Sequence, residues 1–283
     1  MKILLAGHKG QLGRRLLSQL AAHEVLGVDL PDYDIADRNS ITSLARNFGP
    51  ALIINAAAMT NVDGCARDPA AAYRANGLGT QALALAAADI GAEMLQVSTN
   101  EIFDGRATQP YHEWHTTNPI NPYGLSKLAG EWYTQRLLTR FYIVRASWFY
   151  AAGGRNFPHR IIQLADERGM LRVVTDEVGS PTYVDDLAVA IAQLITTHAY
   201  GIYHLVNEGE ASRYEFACEI LRISGREAVP VEPITSDQFE RASTPPPYAP
   251  LANNAAAALG IRLRSWQDAL DDFLDKTGYK VKS

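Results

Sequence analysis

Tyr123 and Lys127 stand four residues apart in Asn121-Pro122-Tyr123-Gly124-Leu125-Ser126-Lys127. At the start of a helix that spacing places both side chains on one face. A phenol of ordinary pKa, about 10, needs help to act as a general acid or base near neutrality. An ammonium alongside gives that help by stabilising the phenolate. Upstream, the apolar run Met94-Leu95-Gln96-Val97 ends at Ser98-Thr99. A hydroxyl there lies at the carboxyl edge of a sheet, where doubly wound folds bind ligands. It can donate a hydrogen bond to a substrate carbonyl while Tyr123 delivers a proton. Taken singly, the Tyr/Lys pair also fits an amphipathic helix with an exposed lysine, and the Ser-Thr pair fits a strand-end cap.

A second cluster opens the chain. Ile3 to Ala6 runs straight into Gly7-His8-Lys9-Gly10-Gln11-Leu12-Gly13. Glycines in this G-x-x-G-x-x-G string fall where the turn is tight, where backbone approaches a pyrophosphate, and where helix packs on strand. Amides at the helix N-terminus then face the phosphates. Asp29 ends the next apolar run, 22 residues after Gly7. An acid near that offset accepts from the adenosine ribose and opposes a 2′-phosphate, although Arg14 and Arg15 lie near enough to hold one. The cofactor expected is NADPH or NADH. Asp34-Ile35 follows at a place where such folds contact the adenine.

The elements that position these residues are legible as alternation. Apolar runs at Ile3–Ala6, Val25–Val28, Leu52–Ala58, Met94–Ser98 and Tyr142–Ala146 are separated by helical spacing in Leu12–Ala22, Ile41–Phe48, Tyr73–Ile90 and Ser126–Leu138. This predicts an α/β fold, a doubly wound parallel (Rossmann) sheet covered on both faces. After Tyr150 the pattern loosens, with helices expected at Phe157–Glu167, Val184–Thr197 and Arg213–Ile223 and prolines gathering at Pro245-Pro246-Pro247 and Pro250. Gly201 to Asn207 again reads as a buried strand. The division expected is a dinucleotide-binding domain over 1–150 plus about 183–207. A smaller mixed α/β substrate region takes about 151–182 and 208–283.

Composition sets the outer bounds. The 283 residues are 47% apolar and 20% charged with a formal charge of −5, ordinary globular values without a general footprint for nucleic acid. No segment approaches the ~20 apolar residues of a membrane span, and His8-Lys9-Gly10 cuts the opening run below signal-peptide length. Two distant cysteines, Cys65 and Cys218, make neither a disulfide scaffold nor a four-thiolate site. A reducing, cytoplasmic setting is expected. The seven histidines show no ligand spacing, and His112 and His115 read as surface polar groups, so no metal site is expected.

Glycine loop, strand-end Ser/Thr and Tyr-x-x-x-Lys together resemble the extended short-chain dehydrogenase/reductases. Longer strings narrow the likeness: Asn55-Ala56-Ala57-Ala58-Met59-Thr60-Asn61-Val62-Asp63, Ser98-Thr99-Asn100-Glu101-Ile102-Phe103-Asp104-Gly105, Asn121-Pro122-Tyr123-Gly124 and Val178-Gly179-Ser180-Pro181-Thr182. These resemble the dTDP-4-dehydrorhamnose reductase family over residues 1 to about 260. The resemblance implies NAD(P)H-dependent reduction of the C4 ketone of a dTDP-4-dehydro sugar. It makes Thr99, Tyr123 and Lys127 the catalytic set, with Tyr123 protonating the alkoxide and Lys127 lowering the phenol pKa and holding the nicotinamide ribose. It puts Gly10-Gln11-Leu12, Asp29, Asp34-Ile35, Ala58-Met59-Thr60 and Val97 against the cofactor, and Asn100 and Trp148 near the sugar nucleotide. Trp148 follows a buried strand, so a core position fits it as well.

Two departures bear on this. The family usually shows Ser-Thr-Asp-Tyr-Val-Phe where this chain has Ser98-Thr99-Asn100-Glu101-Ile102-Phe103, which opens the choice of sugar. Some relatives carry an acid after the glycine loop that helps hold magnesium at a dimer contact; Arg14-Arg15 replace it here. Partners expected are a dTDP-sugar, no nucleic acid and no membrane, in a monomer or homodimer. A 4-ketoreductase for another dTDP-deoxyhexose and a non-catalytic cofactor-binding subunit remain the alternatives.

Overall fold

Six parallel strands make the central sheet of the computed structural model, which describes residues 1–154 and 156–281. They are β1 (Lys2–Ala6), β2 (Glu24–Val28), β3 (Leu52–Asn55), β4 (Glu93–Thr99), β5 (Phe141–Ala146) and β6 (Gly201–His204). Their spatial order is β6-β5-β4-β3-β1-β2. The pleat sends successive side chains to opposite faces: Ile3 and Leu5 join one core, Leu4 and Ala6 the other. Burial on both faces explains why these strands read as continuous apolar runs. Helices α1 (Gln11–Gln19) and α5 (Val184–Leu194) pack together on one face, and α2 (Arg38–Phe48), α3 (Gly79–Ile90) and α4 (Pro122–Leu137) cover the other. The expected doubly wound sheet is therefore present. Among the described residues no helix is long and apolar enough to cross a membrane.

Three boundaries differ from the sequence reading, each for a local reason. β3 stops at Asn55 rather than Ala58 because the Asn55 side chain bonds locally: Oδ1 accepts from Ala57 N at 3.1 Å, while Nδ2 donates to Gln96 Oε1 at 2.7 Å. Residues 56–58 thus leave the sheet. The helix expected over Tyr73–Ile90 begins as a π-turn, Tyr73–Leu78, a distortion frequent at functional sites. It carries the buried Asn76, whose amide holds Met59 N (2.8 Å), Met59 O (3.1 Å) and Ser126 Oγ (2.9 Å). Finally, α4 starts at Pro122, four residues early. Asn121 caps it by accepting from Gly124 N at 2.8 Å, and Pro122 sits in the first turn, where its missing N–H costs nothing.

A separate apolar core centred on Tyr150, Ile161, Tyr183, Phe216, Trp266 and Phe273 joins helices Phe157–Arg168, Arg213–Ile223 and Trp266–Lys276. From it the proline-rich stretch 241–251 crosses to the sheet. Pro247 O accepts from Val178 N at 2.8 Å, Pro250 O from Tyr111 N at 2.8 Å and Ala249 O from Asn100 Nδ2 at 3.1 Å. This strap joins the smaller region to the loops at the carboxyl edge of the strands.

Candidate active site

Strand order reverses between β1 and β3, so the chain diverges there and leaves a crevice beyond the strand ends. Gly7 takes φ +80°, and a Cβ on it would lie 2.6 Å from Ala57 N; only glycine fits. A Cβ on Gly13 would lie 2.1 Å from Gly7 O, so helix and turn touch backbone to backbone. Gly10 is the N-cap of α1 and supplies no side-chain cap. The first amides of α1 are left for an anion. The crevice itself is a cavity of about 520 Å³ walled by Gly7, Gly10, Asp29, Asp34, Ile35, Ala58 and Met59.

The other residues expected at the cofactor fall less directly on this wall. Leu12 points into the core, Gln11 lies against Gly154, and Thr60 is exposed just past the crevice. Asp29 is engaged in the turn, accepting from Lys9 N at 3.0 Å and Leu30 N at 2.9 Å. Neither arginine considered for a 2′-phosphate faces the cavity: Arg15 pairs with Asp185 at 2.7 Å and Arg14 donates to Lys9 O at 2.9 Å. The cation on the wall is Arg74, paired with Asp34 at 2.6 Å. No spacing rule singles it out, because the π-turn brings it there.

Beside the crevice, Thr99 ends β4 and Tyr123 opens α4. Lys127 is buried, and its Nζ donates to Val97 O at 2.7 Å. Val97 therefore contributes its carbonyl to the lysine. Burial pushes Lys127 down to about 8, with Glu131 pulling it back up. For Tyr123 the expected lowering is not found. Burial and the nearby Glu101 carboxylate push the phenol above its ordinary value, and the Thr99 hydroxyl alone among its neighbours draws it down. The Lys127 ammonium is held on Val97 O. A phenol pushed up in this way favours its protonated form, the state a proton donor needs.

Asn100 is buried and committed on both sides, accepting from Thr99 Oγ1 at 3.3 Å and donating to Ala249 O. It orients the threonine and fastens the strap. Trp148 is half-buried at the edge of the second core, at φ +45°, a region that non-glycine residues seldom enter. A Cβ on Gly179 would touch its indole at 2.6 Å, and the Arg213 guanidinium stacks on it at 3.5 Å.

Around these lies a charged cluster that motif reading missed. Arg241 pairs with Glu177 at 2.8 Å and with Asp63 at 3.8 Å, and Arg213 with Glu177 at 3.7 Å. Asp63 also accepts from Ser243 N at 3.0 Å. The partners come from distant parts of the chain, so no local pattern announces them. Among the described residues, no group of three or more His, Cys, Asp or Glu side chains could hold a metal ion.

Comparison with known proteins places the chain in a family. The family model for the RmlD substrate binding domain matches residues 1–278. The spore coat polysaccharide biosynthesis protein SpsK of Bacillus subtilis is 38% identical over 277 residues, 97% of each chain. A dTDP-4-dehydrorhamnose reductase of Sinorhizobium fredii is 34% identical over 282 residues, 95% of each chain. The crystal structure of the Bacillus anthracis dTDP-4-dehydrorhamnose reductase, in complex with NADP, superposes with a TM-score of 0.94 at 35% identity, covering 98% of this chain and 99% of that one. The chain belongs to the RmlD family, together with these dTDP-4-dehydrorhamnose reductases.

Proposed function

We propose that this protein reduces the C4 ketone of dTDP-4-dehydro-L-rhamnose to give dTDP-L-rhamnose, using NADPH or NADH. Supporting this are the relatives' named activity and one observation above the rest: the Tyr123 phenol hydrogen-bonded to the Thr99 hydroxyl, at the edge of a crevice shaped for a dinucleotide. Uncapped α1 amides, the Gly7 turn and the walls of Asp29, Asp34, Ile35, Ala58 and Met59 would hold the cofactor, with Gly13, Gln11, Leu12 and Thr60 shaping the turns. Bound there, a reduced nicotinamide supplies hydride. Residues 1–150 with about 183–207 serve the dinucleotide, and about 151–182 with 208–283 serve the sugar nucleotide.

Thr99 orients the ketone by turning its single O–H from Asn100 Oδ1 to the ketone oxygen. Tyr123 gives its phenol proton to the oxygen as negative charge develops there. Lys127, fixed on Val97 O, keeps a positive charge next to the phenolate that remains. Trp148 and Asn100 border the sugar side. The test is consumption of NADPH or NADH by purified protein on dTDP-4-dehydrorhamnose, with product configuration determined. Tyr123→Phe removes most turnover and leaves cofactor binding. Unimpaired turnover in that variant would end the proton-donor role, and a product without the L-rhamno configuration would end the choice of sugar.

A further inference from the structure

Glu101 occupies the wall shared by the two regions. Its backbone N–H donates to Thr99 Oγ1 at 3.2 Å, so its side chain leaves the same turn as the hydroxyl that meets the ketone. Oε2 accepts from Asn121 Nδ2 at 2.7 Å, and Asn121 caps the helix that carries Tyr123. The carboxyl group is thus fixed to both elements that grip the reacting carbonyl. Among the described residues nothing donates to Oε1, and no cation pairs with Glu101. The arginines in electrostatic range, Arg213 and Arg241, are engaged by Glu177, Asp63 and the Trp148 ring.

Burial lifts this carboxyl above the usual carboxylate range, the mark of a polar group short of compensation. Glu101 is half-buried, with Oε2 anchored on Asn121 and Oε1 open to solvent; a ligand that covers such an acceptor is favoured when it brings a donor. A ketone between Thr99 and Tyr123 carries its neighbouring carbons to this wall. We infer that Glu101 is a specificity-determining residue: its free oxygen accepts a hydrogen bond from a hydroxyl on the carbon next to the reacting ketone. The site then takes α-hydroxy ketone sugars and rejects their deoxy counterparts, because a sugar without that hydroxyl shields Oε1 from water and leaves it unpaired. This rests on the proposed position of the ketone.

The experiment compares kcat/KM of the full chain, Glu101→Gln and Glu101→Leu on two dTDP-4-keto-6-deoxy sugars, one with and one without the C3 hydroxyl. Cofactor affinity and Tm are followed in parallel to register misfolding. The native protein is expected to prefer the hydroxylated sugar by about 100-fold. Glu101→Leu should bring that ratio below about tenfold, with the loss falling on the hydroxylated sugar. Glu101→Gln, which keeps an acceptor oxygen, should lie between. An undiminished ratio in Glu101→Leu overturns the inference while the ketoreductase reading stands. Turnover of neither sugar by the native protein overturns that reading and the inference with it.

Discussion

Arg145 and Glu131 form a buried ion pair one helical turn beyond Lys127, with Nη2 on Oε2 at 2.8 Å and Nε on Oε1 at 3.0 Å. Both side chains are almost wholly excluded from solvent. Arg145 stands on β5 in register with Ser98 of β4, and its Nη1 also donates to Glu113 O at 3.1 Å. Removing one member of such a pair leaves an uncompensated charge, whereas removing both is far milder. Arg145→Met should therefore lose about 3–5 kcal/mol in urea denaturation, and Arg145→Met/Glu131→Leu should recover much of it. Equal losses in the single and double variants would mean that the pair adds nothing beyond packing.

Lys127 sets a pH dependence of opposite sign for stability and for activity. Its proton leaves the folded chain at about 8, against 10.5 for an ordinary lysine. Between those values the unfolded chain binds more protons, so stability rises with pH across that window. In the proposed reaction turnover uses the ammonium, so kcat/KM should fall as pH rises through about 8. Paired urea midpoints and kcat/KM profiles check this. A kcat/KM profile that stays flat through this range would exclude the lysine charge from the reaction.

Asp29 joins the glycine turn to β2 through the Lys9 and Leu30 amides. Its charge also opposes a 2′-phosphate. Asp29→Ala should weaken both cofactors by loosening the turn, but NADH more than NADPH, shifting the ratio of dissociation constants by about tenfold, or ~1.4 kcal/mol. Fluorescence titration with each cofactor reads it. An unchanged ratio would reduce Asp29 to a turn residue.

Gly124 lets the start of α4, which carries Tyr123, close onto the turn that follows Thr99. A Cβ there would lie 2.0 Å from Glu101 O, with Pro119 also in contact, so the helix start would have to withdraw from the Thr99 turn. Gly124→Ala is expected to cut kcat by more than about tenfold, since small misplacements of reacting groups are costly. Cofactor affinity, set at the other end of the crevice, should change little. Normal kcat in this variant would show that the Thr99–Tyr123 spacing is not critical.

The sheet was legible because its four inner strands are buried on both faces, and the candidate trio because Thr99 and Tyr123 sit at element ends with Lys127 one turn further along the helix. Ile3 to Ala6 and Asn121-Pro122 carry their own structural instructions. Asn76, Arg74 and Glu101 do not. Asn76 owes its place to a π-turn that helical periodicity cannot distinguish from an α-helix. Glu101 and the Asp63–Arg241–Glu177 cluster depend on partners from distant segments, and such pairing leaves no period in the chain. The upward direction of the Tyr123 shift was not legible for a related reason: it comes from burial and from the acid at position 101, which are facts of packing.

The strap over 241–251 also orders events in time. Residues through Ala146 complete five strands and the walls of the crevice, while Asn100 meets its Ala249 carbonyl, and Asn121 its Thr244 carbonyl, only after a further long stretch of chain has been made. At ordinary translation rates roughly 5 to 20 s separate residue 146 from residue 251. The walls of the crevice are thus on the emerging chain well before the carbonyls that fasten the strap.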